Sequence, residues 1–327
     1  MPYNLTKLLD KLIKNFIEKQ NINSILVAVS GGQDSILLIS ILNNIRNNFN
    51  HKIKISYIYI DHQWKYSSKL QIKHLTNYIK SKNSNITIYQ INQATKSENN
   101  CREKRYHIIY NHAIKYKYNL VITGHNSSDK VETFFQNISR KSGIEGLSSP
   151  TIHSNISYNF FLLRPLLNIN KEEIHRLCKK LNLPIWSDNT NYIYKIHRNR
   201  IRYELLPYIR NFFNTKIENN LIYSIKNHYY ENEYIKQNAT KLYLQCKHNF
   251  KIAINYRKLS KQHLILQIKS LQIFYINNLK INLHHETIKK IINMTSKQLN
   301  KRIIIFEDNN YIHLLNQKWL YVNTKSK

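Results

Sequence analysis

The chain has 327 residues, of which 42% are hydrophobic, with 24 Tyr and 11 Phe; that is enough apolar material for two packed domains and excludes a disordered polymer. Fifty Lys and Arg against 19 Asp and Glu give a formal charge of +31 spread over the whole length, the balance of a protein that holds a polyanion such as RNA or DNA, although an AT-rich coding sequence also inflates Lys, Asn and Ile. Three scattered cysteines without a C-x-x-C exclude a disulfide framework and a cysteine zinc site, and no apolar run approaches the roughly 20 residues needed to cross a bilayer.

In chain order, residues 1–16 read as an amphipathic helix with Leu5, Leu8, Leu9, Leu12, Ile13 and Phe16 on one face. It carries Asp10 and lacks arginine, a poor match to a transit peptide, so the protein is expected to work where it is made. An apolar strand at 25–29 then runs into Ser30-Gly31-Gly32-Gln33-Asp34-Ser35 and a helix at 35–45. A second strand at 53–60 ends in Asp61-His62, followed by a helix at 70–79 and a third strand at 86–91. A helix at 103–117 leads to a fourth strand at 120–123, ending in Gly124-His125, and to a helix at 129–138. This alternation predicts a parallel sheet with helices on both faces, whose ligands bind beyond the carboxyl ends of the strands, where Ser30, Asp61 and His125 fall. Residues 160–209 are irregular and punctuated by Pro165, Pro184 and Pro207. Beyond about residue 213 the pattern turns helical and closes with a hairpin-like pair at 302–306 and 311–315. The domain boundary is placed near 212, giving a catalytic domain at 1–212 and a smaller, mainly helical domain at 213–327 that ends in a β-hairpin.

In a chain with only five glycines, their placement is informative. They occupy three short stretches: Gly31-Gly32, Gly124, and Gly143 with Gly146. A Gly-Gly turn between a strand and a helix N-terminus presents backbone N–H groups, two hydroxyls and the helix dipole to an anion. It is no Walker A loop, since G-x-x-x-x-G-K-[ST] is absent. Asp129 and Glu132, three apart on one helical face, are candidate catalytic carboxylates, with plain helix-start acids as the alternative. Arg198 and Arg202, one helical turn apart, suit phosphate. His284-His285 has no third ligand at metal spacing and reads as surface.

The S-G-G-x-D-S string resembles the PP-loop of the N-type ATP pyrophosphatases, which cleave ATP to AMP and pyrophosphate. Seven further elements, in order, resemble the tRNA(Ile)-lysidine synthases among them: Asp61-His62-Gln63-Trp64-Lys65; Cys101-Arg102-Glu103-Lys104-Arg105-Tyr106; 123–133, T-G-H-N-S-S-D-K-V-E-T; 140–147; Arg164-Pro165-Leu166-Leu167; Trp186-Ser187-Asp188-Asn189-Thr190-Asn191; and Arg198-Asn199-Arg200-Ile201-Arg202. Ser128 stands where the family has an aspartate, Lys130 replaces a glutamine, and Lys141 and Ser149 replace glycines.

The resemblance implies an enzyme that uses ATP and Mg2+ to join free L-lysine to C2 of the wobble cytidine in a tRNA(Ile) bearing a CAU anticodon, with no obligate protein partner. It assigns ATP to Ser30, Gly31, Gly32, Gln33, Asp34, Ser35, Asp61, His62, Gly124 and His125, with Asp34 helping to hold the metal. It makes Asp34, Asp129 and Glu132 the catalytic carboxylates, and Arg102, Arg105, Arg140, Arg164, Arg198 and Arg202 contacts to tRNA or phosphate. A PP-loop tRNA sulfur transferase and a non-catalytic RNA-binding relic are the alternatives. The composition points to a plastid-encoded copy, with the cytoplasm of an AT-rich bacterium as the other possibility.

Overall fold

A computed structural model describes residues 2–48, 53–61, 68–91, 98–140, 142–148, 151–157, 159–185, 197–295, 303–307 and 311–325. Its first compact unit, Met1–Ile225, holds a six-stranded sheet in the order β3-β2-β1-β4-β6-β5. Helix α1 (Pro2–Lys19) precedes β1 (Ser24–Val29), α2 (Gln33–Asn47), β2 (Lys54–Asp61), α3 (Ser68–Lys80), β3 (Asn85–Gln90), α4 (Glu98–Lys115), β4 (Leu120–Thr123) and α5 (Ser127–Ser139). The short α6 (Ile144–Leu147), β5 (His153–Ser157), β6 (Phe160–Leu163) and α7 (Lys171–Lys180) follow. Then α8 (His197–Arg200) continues through a π-helical turn, Ile201–Leu205, into α9 (Leu206–Phe212).

Strand pleating explains why the sheet is covered on both sides. Val27, Tyr57 and Ile122 point into one cluster with Leu9 and Ile13 of α1, Leu38 and Leu42 of α2, Leu75 and Ile79 of α3, and Ile174 and Leu177 of α7. Their neighbours Leu26, Ile58 and Val121 point the other way, into Ile109 and Ala113 of α4 and Phe160 and Leu162 of β6. Such near-continuous apolar strands are what a sheet buried on both faces requires.

The expected parallel sheet is formed by β1, β2, β3, β4 and β6, and β5 adds an antiparallel edge strand on β6, with an irregularity between Asn155 and Ser157. One expectation is corrected. On α1 the inward stripe runs through Leu9, Ile13 and Ile17, and Leu8 is exposed, because positions 9, 13 and 17 keep to one side of a helix whereas position 8 lies a quarter turn away.

The second compact unit, Lys226–Lys327, begins inside the 30-residue α10 (Ile217–Cys246). It contains α11 (Tyr256–Leu259), α12 (Leu264–Leu279), α13 (His285–Thr295), and an antiparallel sheet in the order β7-β10-β9-β8, made of β7 (Ala253–Asn255), β8 (Ile303–Glu307), β9 (Tyr311–Asn316) and β10 (Trp319–Thr324). The hairpin foreseen near the end is β8–β9, widened by two strands into a sheet. Its core packs Tyr243, Leu271, Phe274 and Ile288 against Leu315 and Leu320. Among the described residues no helix is long and apolar enough to cross a membrane.

Candidate active site

In this sheet the chain leaves β1 for β2 and β3 on one side and returns to β4 on the other, so β1 and β4 flank a topological switch point. Ligands of open α/β sheets sit there. The turn after β1 lies at that crevice. Gly31 has φ +78, a conformation that L side chains rarely adopt, and a Cβ there would stand 2.9 Å from the Gln71 amide nitrogen. The turn is braced from three directions. Ser30 N donates to Ser35 Oγ at 2.9 Å, the two hydroxyl oxygens lie 3.1 Å apart, and Gln71 Nε2 of α3 donates to the Ser30 carbonyl at 3.0 Å. On the far side, Cys178 Sγ of α7 donates to the Gln33 carbonyl and His175 Nδ1 lies 3.3 Å from Gln33 Oε1. Burial first, then the charge of Asp34, pushes the Cys178 thiol up to about 12, so it stays protonated as a donor.

The segment after β4 closes over this turn. Gly124 packs against the start of α2, where a Cβ on it would meet Asp34 Cβ at 3.4 Å, an ordinary contact distance. Asn126 caps α5 in a reciprocal box with Asp129 and also donates from Nδ2 to Asp34 Oδ2 at 3.2 Å. Asp34 Oδ1 is buried without a partner among the described residues. Its pKa is pushed up to about 6, first by burial and then by Asp129, against Lys171, the Asn126 hydrogen bond and Arg202. A buried carboxylate beside a second one, with a vacant oxygen, fits a cation. No group of three His, Cys, Asp or Glu gathers at metal spacing among the described residues. A Mg2+ ion there would therefore rely on Asp34 and on nucleotide phosphates, as this hard and heavily hydrated cation commonly does.

The carboxylates of α5 face α8. Arg198 Nε donates to Glu132 Oε2 at 2.5 Å and its Nη2 to Asp129 Oδ1 at 2.6 Å; Arg202 Nε donates to Glu132 Oε1 at 2.6 Å. Glu132 has 0% side-chain exposure and Asp129 18%. The sequence expected Glu132 at the substrate and Arg198 and Arg202 at phosphate; in the structure these three side chains pair with one another. Both Glu132 oxygens accept from guanidinium groups, one from Arg198 and one from Arg202.

A second cationic group surrounds His125. Its Nδ1 lies 2.9 Å from Thr123 Oγ1, and its ring is parallel to that of Tyr106 at 6.3 Å, with the Arg102 guanidinium over the other ring at 5.9 Å. Burial, followed by Arg102, Arg164, Arg105 and Arg198, holds the His125 pKa well below its usual value. A neutral imidazole ringed by arginines is an arrangement prepared for an anion. Arg164 itself is 8% exposed; its Nη1 donates to the Thr151 carbonyl at 2.9 Å, and its Nε is buried without a partner among the described residues. Arg140 is exposed at the C-terminus of α5. Asp61 is buried at the tip of β2, beside β1. His62, Lys141, Ser149 and residues 186–191 lie outside the described residues.

Sequence reasoning did not single out Gln71, Asn126 or Lys171. Lys171 opens α7, its backbone N–H donates to Ser128 Oγ, and burial and Arg202 lower its pKa. Only Asn126 had a local signal, the N-x-x-D capping pattern before an apolar run.

A family model described as a PP-loop domain matches residues 5–209. The chloroplastic tRNA(Ile)-lysidine synthase of Gracilaria tenuistipitata var. liui is 45% identical over 91% of this chain and 92% of its own length. That of Pyropia yezoensis is 35% identical over 98% and 97%, and the tRNA(Ile)-lysidine synthase of Nostoc sp. is 38% identical over 59% and 56%. Among solved structures, the U34-tRNA thiolase NcsA of Methanococcus maripaludis superposes with a TM-score of 0.56 at 16% identity, over 69% of this chain and 78% of that one, a likeness of fold alone.

Proposed function

Because the chain belongs to the tRNA(Ile)-lysidine synthases and carries their PP-loop domain, we propose that the crevice between β1 and β4 is where this ATP-dependent ligase adenylates the wobble cytidine of a tRNA(Ile) with a CAU anticodon and joins L-lysine to it. In the first step the C2 carbonyl oxygen attacks the α-phosphorus of ATP, and the bond to pyrophosphate breaks. In the second, the ε-amine of lysine attacks C2, the bond to AMP breaks, and the amine loses its proton. The observation that carries this reading is the junction at Asp34: a braced Gly-Gly turn, a carboxylate with a vacant oxygen, and Asn126 from the opposite strand tip meet there.

Ser30, Gly31, Gly32, Gln33 and Ser35 hold the phosphate tail on backbone N–H groups and hydroxyls, and Asp61, Gly124 and His125 complete the nucleotide site. Asp34, together with phosphate oxygens, would hold Mg2+, whose chemistry there would be to neutralise negative charge on the pyrophosphate end of the nucleotide. Asp129, the less buried of the two α5 carboxylates, receives the lysine ammonium and its proton; Glu132 positions Arg198 and Arg202. Arg102, Arg105 and Arg140 meet RNA phosphates. Catalysis belongs to residues 1–212, and the basic remainder binds the tRNA body. The AT-rich composition and the chloroplastic relatives support a plastid protein encoded in the organelle.

The test is release of AMP and pyrophosphate by the purified chain from ATP and tRNA(Ile). Release that depends on lysine, with lysine recovered in the RNA, supports the reading, and equal turnover without lysine refutes it. A sulfur-transferring activity has less support, because Cys101, Cys178 and Cys246 are buried and far apart in sequence.

A further inference from the structure

We propose that the first unit carries a second nucleotide pocket, apart from the strand tips, which seats an unstacked base next to the cytidine being modified; it rests on the ligase reading above. A cavity of about 850 Å³ opens between the C-terminal half of α5 and the helical stretch 197–208. That volume suits a nucleotide, since small-molecule sites commonly run from about 300 to 1,000 Å³. Phe135 and Ile138 form one wall, and Ile201, Leu205 and Tyr208 the other. Gln136, also in the wall, has its Nε2 buried without a partner among the described residues, leaving a donor for the edge of a base.

The surroundings specify the occupant. Arg140, His197 and Arg200 line the cavity against one acid, Glu204, which pairs with Arg200 at 3.0 Å. Tyr208 contacts Phe212 at 4.9 Å and Phe213 at 6.1 Å between ring centroids, and the three rings are 55%, 73% and 75% exposed. Aromatic rings left bare to solvent beside cations are a stacking platform for unpaired nucleotides. A protein or lipid partner would match the apolar walls but would leave the arginines and the Gln136 donor unused.

The pocket is also tied to the reaction centre through shared elements. Gln136 lies one helical turn past Glu132, and Ile201 and Leu205 follow Arg198 and Arg202, so one helix pair carries both the ion-pair cluster and the pocket walls. The π-helical turn Ile201–Leu205 falls at this junction and contains Arg202; such wide turns are frequent at functional sites, and here it shifts Tyr208 from the α-helical register of Arg198.

The experiment uses the full chain and an anticodon stem-loop RNA of the tRNA(Ile), with 2-aminopurine placed immediately 5′ or immediately 3′ of the target cytidine. Binding is expected to change the emission of one probe, and Tyr208→Ala and Gln136→Leu should abolish that change. The same variants should raise the KM for RNA about tenfold, within the range expected for losing one stacked base, while the KM for ATP and kcat stay put. Two results overturn the proposal: neither probe responds in the wild-type complex, or the variants lower kcat and leave the RNA KM unmoved. Failure of the ligase reading is a separate event, because it removes lysine-dependent AMP release from the wild type without touching the probe signal.

Discussion

Gln71 stands over the Gly-Gly turn, and the turn geometry depends on it from both sides. Its amide satisfies the Ser30 carbonyl, and its side chain fills the space where any Cβ at position 31 would go. Gly31→Ala should therefore cost about 1–2 kcal/mol for the left-handed backbone, plus the clash. Adding Gln71→Ala should recover the clash and leave the backbone cost, so urea unfolding of the double variant will fall short of the sum of the singles. Gln71→Leu alone should raise the KM for ATP about tenfold with kcat little changed, as expected if it positions the loop without touching the reacting atoms. His125 makes a prediction in pH. Its folded pKa is depressed, so its contribution to stability is present above the unfolded value near 6.5 and is lost as pH falls below it. His125→Gln should flatten the acid limb of Tm against pH. Burial is the larger cause of the shift, and an anion among the arginines offsets the part that they add to it, so nucleotide binding near pH 6 should take up protons. Calorimetry in buffers of different ionisation enthalpy measures that uptake, and proton-neutral binding would remove the anion from this position.

At the scale of elements, α5 and α8 are joined by an ion-pair cluster whose members differ in burial, and the proposed division of structural and chemical roles follows that difference. Removing one partner of a buried pair leaves the others uncompensated and typically costs about 3–5 kcal/mol. Glu132→Ala should fall toward the lower end of that range by denaturant unfolding, because it leaves Arg198 and Arg202 to share Asp129 alone. Asp129→Asn keeps the cap geometry available at a partly exposed position and should cost about 1 kcal/mol or less, yet abolish lysine transfer while pyrophosphate release continues. If both variants lose stability and activity in parallel, the division of roles is wrong. These elements were legible in sequence to different degrees for physical reasons. The strands and helices around the crevice were read to within a few residues, since their apolar periodicity is local. The Glu132–Arg198 pairing was not, because it spans 66 positions and exists only after folding. β10 was missed for another reason. The turn before it places Gln317 at φ 52, and Asn21, Asn83, Asn159, Asn182, Lys117 and Lys280 likewise take left-handed conformations usually given to glycine. A composition poor in glycine thus hides its turns in asparagine and lysine. The boundary near 212 was read from a change of pattern, whereas the compact units divide after Ile225, inside one unbroken helix that gives no compositional signal.

For the whole molecule, the question is whether a charge of +31 binds RNA or only records genome composition. The two differ in salt dependence. If about six to ten phosphates are neutralised, affinity for tRNA should fall roughly 10³–10⁵-fold between about 50 and 200 mM salt, whereas a diffuse compositional surplus gives a shallow slope. Stacking responds differently, because it releases no counterions. Exposed aromatics are available for it at Tyr208, Phe212 and Phe213, and along α10 at Tyr223, Tyr230 and Tyr234, where the Lys226 ammonium lies 5.9 Å from the Tyr230 ring centre. Plotting log affinity against log salt separates the contributions. Arg102→Ala should reduce the slope by about one contact, and Tyr208→Ala should lower the line without tilting it. Were Tyr208→Ala to change the slope instead, its ring would be ordering phosphate contacts, and the residual affinity at high salt would need a source other than bases stacked on these rings.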